Sequence, residues 1–100
     1  MPAFMIFDVV SVRDGDAFAE YRERVPSIIE AYGGRYLVRG GDLEVLEGSW
    51  SPARLTVIEF PSVEDAKRWY DSEEYRPLKE LRMSAGDLDG VLVEGLGSST

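Results

Sequence analysis

The chain has 100 residues, 44% of them hydrophobic and 30% charged, which suits one globular unit with a modest two-layer core. Its net charge is -8, its sequence pI is near 4.4 and its 11 basic residues are scattered, which argues against nucleic acid or an anionic membrane surface as partner. Cysteine and histidine are both absent, so disulfides, thiolate chemistry and the usual general base are excluded. Any catalysis falls to carboxylates, tyrosines, arginines, lysines or hydroxyls.

No apolar run approaches the length of a membrane span. Met1-Pro2-Ala3-Phe4 lacks the basic start and small-residue cleavage site of a signal peptide, so cytoplasmic residence is expected. Phe4 to Val12 is nearly continuously apolar, interrupted by Asp8, and predicts a central strand buried on both faces. After a turn at Arg13 to Asp16, with Asp14 or Asp16 as cap, Ala17 to Tyr32 carries Phe18, Tyr21, Val25, Ile28 or Ile29, and Tyr32 at helical spacing. Pro26 lies inside this helix and lacks the N–H that would bond back to Arg22, which predicts a kink.

Gly33 is expected to stop the helix in a left-handed cap. A strand over Arg35 to Arg39 follows, in which strict alternation puts Arg35, Leu37 and Arg39 on one face and Tyr36 and Val38 on the other. Leu43 to Leu46 either extends that strand across a bulge at Gly40-Gly41 or forms a short extra one. Trp50 sits in a Gly/Ser/Pro loop. Arg54 to Phe60 reads as a third strand, and Ser62 as the cap of a helix carrying Val63, Ala66, Trp69 and Tyr70 inward. A further helical segment starts near Ser72, with Pro77 in its first turn and Leu78 and Leu81 inside. The last strand spans Asp87 to Leu96, giving one domain over 1–96 and a frayed tail over 97–100.

The order strand, helix, strand, strand, helix, strand predicts an α+β, ferredoxin-like βαββαβ plait with a four-stranded antiparallel sheet. Both crossover helices fall on one sheet face. The other would leave an apolar surface wet, so a homodimer pairing face to face is expected, with Trp50 covering either the partner subunit, the leading reading, or the cavity mouth.

Tyr32 to Gly41, Val45 to Gly48, Val57 to Ser62, and Trp69 to Tyr75 with Leu78-Lys79 resemble domain-of-unknown-function family 1330. The resemblance runs from the first strand to Gly95. It implies a dimeric α/β barrel, two sheets paired about a twofold axis around an internal cavity, in a superfamily that includes cofactor-independent monooxygenases, lactone isomerases and haem-dependent enzymes. A chain without histidine or cysteine offers no conventional axial ligand for haem, and no cofactor is expected.

If Tyr36, Val38, Ile58 and Phe60 pack under the helices, parity sends Arg35, Leu37, Arg39, Leu55, Val57 and Glu59 to the other face. Arg39 and Glu59 then approach each other at the dimer cavity, joined by Asp8 if it points the same way. One reading makes this trio catalytic: Arg39 binds a carboxylate or enolate, and Glu59 or Asp8 moves a proton. The other makes it a structural ion pair. The tyrosines and Trp69 read mostly as core or rim. The glycine pairs follow a helix and precede a strand, the reverse of a phosphate loop. Two functions follow: a cofactor-independent isomerase, monooxygenase or lyase acting on a small acid or carbonyl compound in the barrel cavity, or a non-catalytic ligand-binding or structural dimer.

Overall fold

A computed structural model describes residues 1–96; the expected tail over 97–100 lies outside the described residues. The strands are β1 (Ala3–Val12), β2 (Arg35–Arg39), β3 (Leu55–Phe60) and β4 (Gly86–Glu94), and the helices α1 (Gly15–Ala31), α2 (Val63–Tyr70) and α3 (Arg76–Ala85). The sheet order is β2-β3-β1-β4, with every neighbouring pair antiparallel. This is the ferredoxin-like α+β arrangement, its second crossover helix divided into α2 and α3. The Cα envelope measures 43 × 39 × 17 Å, thin enough for one sheet and one helix layer only.

Alternation along β1 explains the layering. Ala3, Met5, Phe7 and Val9 are buried beneath the helices, while Phe4, Ile6 and Asp8 point the opposite way. β3 contributes Ile58 and Phe60 to the covered side. From above, α1 brings Phe18, Val25 and Ile29, α2 brings Ala66 and Trp69, and α3 brings Leu78 and Ala85. Trp69 is the hub: its ring centroid lies 4.2 Å from that of Tyr75 and 5.5 Å from that of Phe60.

Caps define the helix ends. Asp14 accepts from the Ala17 amide at 3.1 Å, and Ser62 from the Asp65 amide at 3.1 Å. At the end of α1, Gly33 adopts φ +83°, and the amides of Gly33 and Gly34 bond to the carbonyls of Glu30 and Ile29. That is a Schellman motif. Pro26 lies within one helix spanning Gly15–Ala31.

Two expectations fail around β2. Leu43 to Leu46 forms neither a strand nor an extension; residues 40–54 are irregular. The alternation of β2 is also broken earlier than the glycines. Tyr36 pairs with Ile58, but Val38 pairs with Val57 and Arg39 with Thr56, so Leu37 is an extra residue in the ladder. Val38 therefore shares the bare face with Val57, and Arg39 turns to the helix side with Tyr36.

Candidate functional site

A cavity of about 330 Å³ opens between the sheet and the α2–α3 segment. Its walls are largely apolar, from Met5, Phe7, Leu88 and Leu92, and at its mouth stand Tyr70 and Asp71. Gly90 makes room in the floor: it is paired with Phe7 across β1 and β4, and a Cβ on it would lie 2.7 Å from the Phe7 ring.

The polar wall is Arg82. It sits on the inner face of α3, four residues after Leu78, and only 4% of it is exposed. One guanidinium nitrogen donates to the Tyr75 hydroxyl at 3.0 Å, and the Tyr75 and Tyr21 hydroxyls are 2.8 Å apart. The guanidinium carbon is 5.4 Å from the centroid of the Phe7 ring. Among the described residues Arg82 has no carboxylate partner, and its Nε has no hydrogen-bond partner at all; Trp69 Nε1 shares that condition.

Burial works against the charge of Arg82, but the Tyr75 and Tyr21 oxygens more than offset it, so the guanidinium stays protonated. Burial also pushes the Tyr21 and Tyr75 phenols above their ordinary value, so both are neutral donors rather than bases. Tyr75 is held by the turn between α2 and α3. Ser72 Oγ accepts from the Tyr75 amide at 3.1 Å and donates to the Trp69 carbonyl at 2.8 Å. A permanent cation without a carboxylate partner, lining an apolar hollow, is suited to hold a carboxylate or a developing enolate oxygen. At about 4 Å such a contact is worth roughly 4 kcal/mol of Coulomb energy for an effective dielectric near 20.

The three residues expected to form the site are not brought together. Arg39 crosses to the helix side, where its guanidinium donates to the Arg22 carbonyl and lies 4.6 Å from the Tyr36 ring centroid. Arg22 is the residue whose carbonyl Pro26 cannot serve, so the side chain replaces the missing helix bond. Glu59 keeps the bare face and pairs with Arg35 instead, Nε to Oε1 at 2.7 Å. Asp8 also takes the bare face and is 7% exposed, accepting from the amides of Ala53 and Arg54 at 3.1 and 3.4 Å. It is opposite Leu55, whereas Glu59 is opposite Phe4, four residues along β1.

Fold and cavity together define a ferredoxin-like α+β protein with a largely apolar hollow of about 330 Å³ under its helices. The chain belongs to DUF1330, a domain-of-unknown-function family whose profile matches residues 2–96. No curated protein matches it. Among solved structures it is similar to a protein of unknown function from Rhodopseudomonas palustris, with TM-score 0.76 and 21% identity over 96% of this chain and 83% of that one. A dimeric ferredoxin-like protein of unknown function from Jannaschia sp. CCS1 aligns with TM-score 0.63 and 8% identity, over 95% of this chain and 100% of that one. A variant of SnoaB, a cofactor-independent oxygenase from Streptomyces nogalater, aligns with TM-score 0.59 and 10% identity, over 97% and 94%.

Proposed function

We propose that this chain is a cofactor-independent enzyme that binds a small, partly apolar acid or carbonyl compound in the cavity beneath its helices. The observation that carries this reading is Arg82, a buried arginine on the cavity wall with no carboxylate partner among the described residues. Arg82 holds the substrate oxygen on which negative charge develops. Asp71, the carboxylate at the cavity mouth, takes the proton from the adjacent carbon. The resulting electron-rich enolate suits isomerisation, lyase chemistry or direct reaction with dioxygen, and the likeness to a cofactor-independent oxygenase supports the last.

The reading includes a homodimer in the cytoplasm, with a second copy on the bare sheet face, where Val91 is 59% exposed and Val10, Val93 and Trp50 are also open. The dimeric state of the Jannaschia protein supports it, and Asp8 and Glu59 then serve structure near that contact. The net charge of -8 favours a small-molecule partner over nucleic acid.

The test is oxygen uptake and product formation with a panel of enolisable aromatic and aliphatic acids. Turnover is expected to be lost in Asp71→Asn, and KM to rise at least tenfold in Arg82→Gln, with both variants folded. Saturable binding without turnover would leave the non-catalytic ligand-binding dimer, which the absence of histidine and cysteine favours. Absence of binding to any panel member would sink both.

A further inference from the structure

Arginine pairing across the molecule singles out a second place. Arg13, Arg24, Arg35, Arg68 and Arg76 each pair with a carboxylate. The remaining arginines, Arg22, Arg39, Arg54 and Arg82, make no ion pair among the described residues, although the chain carries 19 acidic side chains. All four line hollows on the helix side of the sheet. Arg82 lines the cavity described above; Arg22, Arg39 and Arg54 line a smaller one of about 40 Å³, with Tyr21, Tyr36 and Thr56. Phe7 and Leu88 are walls common to both hollows.

Three exposed arginines border this hollow, and none has a carboxylate partner among the described residues. The Arg39 group is fixed by the Arg22 carbonyl and the Tyr36 ring. The Arg54 stem is fixed against Gly40, whose φ of +71° and missing Cβ let that stem pass: a Cβ there would lie 3.2 Å from Arg54 Cγ and Cδ. The hydroxyl chain adds a donor. Arg82 can only donate, so the Tyr75 oxygen accepts from it. Two phenols sharing one hydrogen bond always leave one O–H over. Tyr75 is fully buried and lines neither hollow, so its proton belongs in the bond to Tyr21, and the spare O–H is that of Tyr21, on the wall of the smaller hollow.

We infer that Tyr21, Arg22, Arg39 and Arg54 form a second, carboxylate-binding subsite. A planar carboxylate would accept from the Tyr21 hydroxyl and from the guanidinium forks, neutralising a positive cluster that the rest of the chain leaves unpaired. For the ligand of the larger cavity, and resting on that reading, this makes the substrate class an acid with oxygen atoms at both ends of an apolar body.

Acetate tests the subsite directly, titrated against chloride at constant ionic strength while the arginine Nε–H signals are followed by NMR. Saturable shifts of Arg22, Arg39 and Arg54 that share one affinity, separate from that of any shift of Arg82, are the expected result. Tyr21→Phe is expected to weaken acetate about tenfold. Arg54→Gln, which removes no hydrogen bond of the fold, is expected to weaken it by at least as much. Shifts linear in acetate and equal to those with chloride would mean screening alone and overturn the subsite, as would unchanged acetate affinity in Arg54→Gln. Unchanged affinity in Tyr21→Phe would remove Tyr21 from it. Movement of Arg82 alone would overturn the subsite while leaving the larger cavity's function standing, and inorganic phosphate binding more tightly than acetate would overturn the carboxylate assignment.

Discussion

At the scale of single residues, Arg82 and Tyr75 ask for opposite outcomes. A buried guanidinium without a carboxylate costs several kcal/mol of desolvation, a cost that an apolar side chain of similar length does not carry. Arg82→Met is therefore expected to match or exceed the wild-type urea midpoint while abolishing ligand binding. Tyr75→Phe keeps the charge and removes its acceptor, so it is expected to lose about 1–3 kcal/mol in the same experiment. The tyrosines also set an alkaline limit. Burial pushes the Tyr36 phenol up to about 12, against an ordinary value near 10, and Tyr21 and Tyr75 move in the same direction. A raised phenol means that the folded state holds its proton longer, so this stabilisation is complete below pH 10 and is lost as pH rises from 10 towards 12. Melting temperatures at pH 9 and pH 11 are expected to show that fall, and Tyr36→Phe to reduce it. Arg82 was within reach of the sequence, since its spacing of four from Leu78 and three from Ala85 places it on the apolar stripe of its helix. The unused Nε and the hydroxyl chain were not, because they depend on where three separate helical segments meet.

At the scale of elements, the lesson lies in β2 and α1. Helix ends, caps and both crossover segments were legible because Asp14, Gly33, Ser62 and Pro77 act locally. The facing of Arg39 was not, because one extra residue at Leu37 reverses every side chain beyond it, and no glycine or proline marks the spot. What holds the reversed Arg39 is the Arg22 carbonyl that Pro26 leaves free, with about 8 Å of helix and a loop between that proline and β2 in the chain's path. Supplying an N–H at that position should make Arg39 redundant. Arg39→Ala is expected to cost about 1–2 kcal/mol in the wild type and close to none in a Pro26→Ala background, a coupling of about 1–2 kcal/mol that denaturant titration of the four proteins measures.

At the scale of the whole molecule, the ferredoxin-like architecture was readable from element order, and the bare sheet face followed from it. The irregular path of residues 40–54, where Asp8 secures the amides of Ala53 and Arg54, was not, because it is fixed by a buried carboxylate on a distant strand. A charge in the middle of the bare face tests the proposed dimer. Val91→Glu is expected to shift the sedimentation coefficient to that of a monomer with the far-ultraviolet circular dichroism retained, whereas an unshifted wild-type monomer would remove the second copy from the account.

The sheet order has one more consequence. β1 leaves the ribosome before the other three strands of this sheet, yet one of its edges is completed by β4, which follows them all. At about 5–20 residues per second, the aromatic and aliphatic side chains of β1 wait several seconds for that neighbour. During synthesis β1, even once β3 has paired with it, thus keeps one open edge of the kind that invites pairing with other strands until β4 has emerged.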